Sequence, residues 1–369
     1  MWPGGGAGIT LRLSFFAMRK VLCNFAFAAC YGRFLLILAD MNLNSFFYIP
    51  VMVFAAMLGA CSARGGNTQS DSPASDVGSA TVQAAPFSAD SAYAYVEHQV
   101  NMGPRVPNTR AHARTADWIA GELRRRGTDV IEQTADLHAF DGTILKARNI
   151  MARFNPESQR RLLLLAHWDC RPWADEDPDP AKRSAAVDGA NDGASGTGVL
   201  LEIARQLQAA PPKEGVDILL VDAEDWGTSG SEDSWALGAQ HFVANPPIVG
   251  YQPSEAILLD MVGGMGAQFR REYFSEHAAP QLNDALWSTA AALGYADRFI
   301  NRMGAAITDD HVMLIEAGIP AVDIIEYYPG DGGPFNPRWH TVSDNMEGIS
   351  AETLGIVGTT VMTYLRNNY

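Results

Sequence analysis

The sequence predicts an α/β fold, a mostly parallel central sheet sandwiched by helices, on three observations. Residues 161–166, 217–221 and 256–259 are short, nearly unbroken apolar runs, the pattern of strands buried on both faces. Amphipathic stretches with apolar residues three and four apart alternate with these runs, most clearly at 199–207, 279–293 and 350–366. Each run also ends in acids or histidine, and an open parallel sheet binds its ligands in the crevice beyond the strand C-termini.

Composition sets the outer bounds. Of 369 residues, 47% are hydrophobic and 19% charged, which is globular composition with ample material for a core. A formal charge of −15 argues against a nucleic-acid partner. The first sixty residues read differently. Residues 46–58 are apolar but too short to span a bilayer comfortably, as the hydrophobic segment of a signal peptide should be. They run into Leu58-Gly59-Ala60-Cys61-Ser62, which resembles a bacterial lipoprotein signal in which the cysteine is cleaved, lipidated and made the new N-terminus. An ordinary signal peptide or a membrane anchor is the alternative. The stretch after Met41 lacks the expected positive charge, and a start codon set too early would account for residues 1–40. Residues 1–61 are thus expected to be leader and 62–86, poor in large apolar side chains, a flexible tether. Residues 87–369 form the catalytic domain. This predicts an exported protein held to a membrane by its lipid alone, on a periplasmic or cell-surface face, with a monomer favoured. Cys170 is the one cysteine beyond the leader, so the domain folds without an internal disulfide.

Within the domain, 89–100 and 112–126 read as helices, and 128–138 and 146–154 as neighbouring strands. Arg105, in the turn-rich break between the helices, is expected in a salt bridge. The first apolar strand delivers His167 and Asp169, one residue apart and so on one side of an extended chain, although a purely structural histidine is equally compatible. The loop from Trp173 to Pro180 is acidic and proline-rich, and its charges read as solvated. A glycine-rich turn at 188–198 places Asp192 before a helix, near its positive end. That turn fits neither a P-loop nor a dinucleotide fingerprint, and Asp192 would repel phosphate.

The focal strand ends in Asp222, Glu224 and Asp225, followed by Trp226. Like charges this close need a cation, a proton or water, and a solvated acidic turn is the bland alternative. A helix is expected over 234–243. Asp260 stands inside an apolar run, where it is costly unless paired. Asp309 and Asp310 open a short helix over 312–317, and capping explains one of the two. A strand at 321–326 leads to a loop carrying His340, and Ser350 caps the last helix. Oxygen and imidazole ligands arriving from separate strands are how zinc is held in an open catalytic site.

In order, His167-Trp-Asp169, Asn191-Asp192-Gly-Ala-Ser-Gly196, Asp222-Ala-Glu224-Asp225, Leu259-Asp260, Asp309-Asp310-His311 and Trp339-His340-Thr341 resemble the motifs of the M28 zinc-peptidase superfamily and, within it, the animal-type (type II) glutaminyl cyclases. The resemblance covers about residues 88–369. It implies a zinc on Asp192, Asp225 and His340, with Glu224 as proton carrier and Asp260 and Asp309 in a hydrogen-bond network around it. Trp339 and Phe335 would wall the substrate pocket, with Trp226 and Trp235 as further aromatic walls. The chain departs from the commoner Glu-Glu pair, since Asp225 is one methylene shorter. The implied activity is conversion of N-terminal glutamine of peptides or proteins to pyroglutamate with release of ammonia. The alternative is a zinc aminopeptidase with two metals, held by His167, Asp192, Asp225, Asp260 and His340. His167 is therefore assigned either to a second metal or to orienting residues around the first. A non-catalytic binding protein on this fold is the third reading. Asp309, where the peptidases usually carry serine, and Trp339 before the last ligand histidine favour the cyclase.

Overall fold

Strand segments that are apolar on both sides can be stable only if helices cover both faces, and the chain meets that demand. The computed structural model describes residues 86–328 and 333–369. The leader, Cys61 and the tether up to residue 85 lie outside the described residues. The strands are β1 (Asp129–His138), β2 (Ile144–Phe154), β3 (Arg161–His167), β4 (Gly215–Val221), β5 (Glu255–Asp260), β6 (Phe269–Arg271), β7 (Phe299–Met303) and β8 (Ala321–Ile325). The helices are α1 (Ala89–Asn101), α2 (Arg110–Arg125), α3 (Ala194–Ala209), α4 (Leu237–Ala244), α5 (Tyr273–Ala278), α6 (Pro280–Ala292), α7 (Asp310–Glu316) and α8 (Ala351–Asn368).

Six strands pair in the order β1-β2-β4-β3-β5-β8, while β6 and β7 form a separate ladder. β3 runs parallel to both β4 and β5, and β5 parallel to β8, so four strand C-termini share one edge. β1 and β2 form the antiparallel flank. Every residue of β3 and β4 is buried. Alternate side chains sort by face: Leu162, Leu164, Ile218, Leu220 and Ile257 pack with Ile119, Leu200 and Val357 of α2, α3 and α8. Leu163, Leu165, Leu219 and Leu258 pack with Phe242 of α4 and Leu314 of α7. This is the expected α/β sandwich.

Local chemistry sets several boundaries. Ser350 caps α8 by accepting from Thr353 N, as expected. The helix expected over 234–243 divides instead: Glu232–Ser234 is a 3₁₀ turn, Ala236 takes a left-handed conformation (φ 55°), and α4 begins at Leu237. β6 and β7 carry too few residues to show a period in sequence. Arg105 is fully buried but makes no salt bridge among the described residues. Its guanidinium donates to the carbonyls of Trp168 (2.9 Å), Asp188 (2.5 Å) and Gly189 (2.6 Å), tying the end of β3 to the glycine-rich turn.

The opposite edge of the sheet is pinned by one buried ion pair. Arg161 donates through Nε (2.6 Å) and Nη2 (2.5 Å) to both oxygens of fully buried Asp217, and Tyr251 OH donates to the same carboxylate (2.8 Å). Asp217→Asn leaves the guanidinium buried without its counter-charge and is expected to destabilise the fold by about 3–5 kcal/mol. Urea unfolding measures this, and a loss below about 1 kcal/mol would show that the pair is dispensable.

Candidate metal centre and its pocket

Each candidate ligand leaves a different strand end or loop, so the parallel register brings them together. β3 delivers His167, the turn before α3 delivers Asp192, β4 leads to Glu224 and Asp225, β5 ends in Asp260, and the loop before α8 delivers His340. Ligand atoms of Asp192, Asp225 and His340 lie within 4.8 Å of one another, and so do those of His167, Asp192 and Asp260. Asp192 belongs to both groups. His340 Nε2 lies 3.1 Å from Asp225 Oδ1 and 3.5 Å from Asp192 Oδ2. His167 Nε2 lies 3.1 Å from both Asp192 Oδ1 and Asp260 Oδ1.

The donor set fits a divalent cation. Neither oxygen of buried Asp225 makes a hydrogen bond, despite its closeness to His340, and two carboxylates with an imidazole are a hard-to-borderline set suited to zinc. Burial raises the Asp225 carboxyl, with the charge of Asp192 acting in the same direction. A cation there would relieve both.

The turn carrying the acids is built rigidly. Ala223 sits at φ 54°, a region L-residues rarely adopt, and this turns the chain after β4. Asp222 Oδ1 accepts from Ala223 N, and buried His112 Nε2 holds the same carboxylate at 2.9 Å. Asp169 accepts from Glu224 N and Asp225 N, both at 3.2 Å, while its Oδ1 faces His167 Nδ1 at 3.5 Å. Asp344 accepts from Asn191 N (2.8 Å) and Asp192 N (3.1 Å). Gly193 has φ 85°, and a Cβ there would come within 2.6 Å of Asp169 O. The glycine-rich turn is thus needed for close approach, as its composition predicts.

These groups floor a cavity of about 360 Å³ lined by Asp192, Glu224, Asp225, Asp260, Asp309 and His340, with Phe335, Trp339 and Trp235 among its walls. Phe335 stacks on Trp339 (4.5 Å between centroids), and Trp339 stacks on His340 (3.6 Å). Trp226 stands outside this lining. It packs with Leu137, Leu145 and Ala223 and donates from Nε1 to Asp141 Oδ2 (3.2 Å), because the turn at Ala223 sends successive side chains to opposite sides. Trp235 lines the cavity instead. Glu224 is raised well above the usual glutamate range, by burial first and then by Asp309 and Asp225, against the opposing charge of His167.

Sequence reading missed two supports. The loop read as solvated is so only in part: Glu176 and Asp179 are exposed, but Asp177 is buried and accepts from Val342 N (3.1 Å), and Asp175 accepts two hydrogen bonds from buried Arg171. Folding that loop beside His340 takes Asp177 out of water, which proline-rich composition does not reveal. Behind Asp309, buried His311 and Glu272 form a second layer (3.0 Å) beside Asp323. His311 closes the Asp309-Asp310-His311 motif, whereas the sequence signal of Glu272 and Asp323 is no more than polarity at buried positions.

The model of peptidase family M28 matches residues 149–365. The chain belongs to that family. A glutaminyl cyclase of Porphyromonas gingivalis is 50% identical with a TM-score of 0.76, over 77% of this chain and 99% of that one. A Zn-dependent exopeptidase of Parabacteroides distasonis is also 50% identical, TM-score 0.75, over 77% of this chain and 100% of that one. Among curated proteins, the glutaminyl-peptide cyclotransferase of Bothrops jararaca is 25% identical over 246 residues, 56% of this chain and 61% of that protein. The chain spans between about half and three fifths of the length of the first curated relatives it matches.

The buried acids make stability depend on pH. Burial, then the charge of Asp260, pushes Asp309 up to about 7. A folded value above the unfolded one contributes stability that is present below about pH 4 and is lost as pH rises through 7. In chelator, Asp309→Asn should therefore gain on the parent chain between pH 5 and pH 8, by about 1–4 kcal/mol. Thermal unfolding at both pH values measures the difference, and a constant offset would refute the assignment.

Proposed function

We propose that the chain is a zinc-dependent glutaminyl-peptide cyclotransferase that converts N-terminal glutamine to pyroglutamate and releases ammonia. One observation carries this reading: Glu224 and the Asp192, Asp225 and His340 group share a small cavity walled by stacked Phe335 and Trp339, with Trp235 beside them. A cavity of that size admits the terminal residue of a peptide, and its planar walls suit a flat carboxamide. The match to the Porphyromonas gingivalis glutaminyl cyclase supports the same reading.

Asp192, Asp225 and His340 would hold the zinc, which supplies Lewis-acid polarisation of a carbonyl oxygen. Glu224, poised by its raised pKa, takes a proton from the substrate's α-amine as that nitrogen bonds to the side-chain carbonyl carbon. It returns the proton to the amide nitrogen as the carbon–nitrogen bond breaks and ammonia leaves. Asp309 raises the proton affinity of Glu224, and Asp260 holds His167 in place. Trp339, Phe335 and Trp235 exclude water and align the glutaminyl side chain.

A second reading, an aminopeptidase with two metals, is favoured by the His167, Asp192 and Asp260 group, which shares Asp192 with the first. Metal analysis separates the two readings: one zinc per chain is expected of the cyclase and two of the peptidase. A coupled ammonia assay on Gln-peptides, run beside hydrolysis of aminoacyl anilides, should give ammonia without anilide cleavage. In that assay Glu224→Gln is expected to lose about 10²–10⁴-fold in kcat. Retention of activity within tenfold would remove Glu224 from the mechanism.

A further inference from the structure

We propose that Arg171 is a positioning residue that locks two of the three metal ligands to each other through Asp175. Its guanidinium is buried and every face of it is engaged. Nη1 donates to the carbonyl of the ligand Asp225 (3.0 Å) and to that of Gly227 (2.8 Å). Nε and Nη2 grip both oxygens of Asp175, at 3.1 and 2.6 Å. Asp175 Oδ1 in turn faces Nδ1 of the ligand His340 at 3.5 Å, on the side of the ring away from the other ligands. Glu176 N donates to His340 O (3.2 Å), so the same loop also holds the backbone of that ligand.

Stacking reinforces the connection. The guanidinium carbon lies 4.9 Å over Trp173 and 4.8 Å over Trp235, and Trp235 lies parallel to His340 (6.0 Å, 21°). Arg171 therefore fixes the backbone of one ligand, the carboxylate behind another and the indole on that ligand's face. His340 itself has a left-handed backbone (φ 52°), a conformation that needs outside restraint. A lysine would keep the charge but lose the planar fork that reaches a carboxylate and two carbonyls at once.

The inference rests on the metal reading and not on which reaction the site runs. It is tested on zinc-loaded protein with Arg171→Lys, Asp175→Asn and the double variant. Zinc affinity is read by competition with a chromophoric chelator, and ligand geometry by the visible absorption of cobalt(II)-substituted protein. Each single variant is expected to weaken zinc by about 10–100-fold, as partners behind metal ligands typically do, and to shift the cobalt bands. The double variant should be no weaker than Arg171→Lys beyond about threefold, because both changes break one chain of contacts. Should Arg171→Lys not fold, Asp175→Asn decides alone, since Asp175 is partly exposed. Zinc within about threefold of the parent with unchanged cobalt bands in Asp175→Asn, or losses that multiply in the double variant, would overturn the proposal. A parent chain that takes up no zinc would overturn the metal reading and this proposal together.

Discussion

Carboxylates crowded out of water at one edge of the sheet are the constraint on which the rest of the structure depends. Asp169, Asp192, Asp222, Glu224, Asp225, Asp260, Asp309, Asp310 and Asp344 are all buried there. Each must find an N–H donor, a proton or a cation, because an uncompensated buried charge costs several kcal/mol or more. Five of them show how the chain meets that demand. Asp169, Asp222 and Asp344 accept backbone N–H groups and so hold turns. Asp310 makes no side-chain hydrogen bond among the described residues, and burial followed by the charge of Asp309 raises its carboxyl well above the usual aspartate range. Asp225 likewise has no hydrogen-bond donor among the described residues, but it lies on the cavity beside Asp192 and His340. Of these two acids, Asp225 is the one placed where a cation would bind.

Rigidity at that edge comes from strained backbone held on several sides. Ala223, Met261 and His340 all have positive φ, and each lies at or beside a candidate ligand or Glu224. Such residues cost on the order of 1 kcal/mol each and persist only when their surroundings over-determine them. Around Ala223 those surroundings include Asp222, Leu237 N donating to Ala223 O, and Ala236 N donating to Glu224 O. The turn is set before any ligand arrives, as pre-organised catalysis requires.

The fold and the ligand positions were legible because they rest on local pattern. Apolar runs of β3, β4 and β5 declare strands buried on both faces, and the acids ending them stand out against those runs. The aromatic walls were less legible. Trp226 directly follows the acids in sequence and Trp235 comes later, yet with left-handed turns at Ala223 and Ala236 the first packs in a small core and the second lines the cavity. Asp177, in the loop from Trp173 to Pro180, was misread because its burial depends on a partner, Val342, more than 150 residues away. Arg105 was misread for a related reason: its acceptors are carbonyls, which every sequence contains and none advertises.

Asp225 explains why so much support converges on one turn. A glutamate in this position would have an extra torsion with which its carboxylate could adjust to small backbone errors. Aspartate has one methylene less, so the ligand oxygen follows the backbone closely. Fixing the ligand then means fixing the peptide groups on either side of it. Asp169 accepts from Asp225 N, and Arg171 donates to Asp225 O. The shorter candidate ligand thus transfers precision from a side-chain rotamer to hydrogen bonds on the main chain, and those bonds come from Asp169, just beyond β3, and from Arg171, two positions further on.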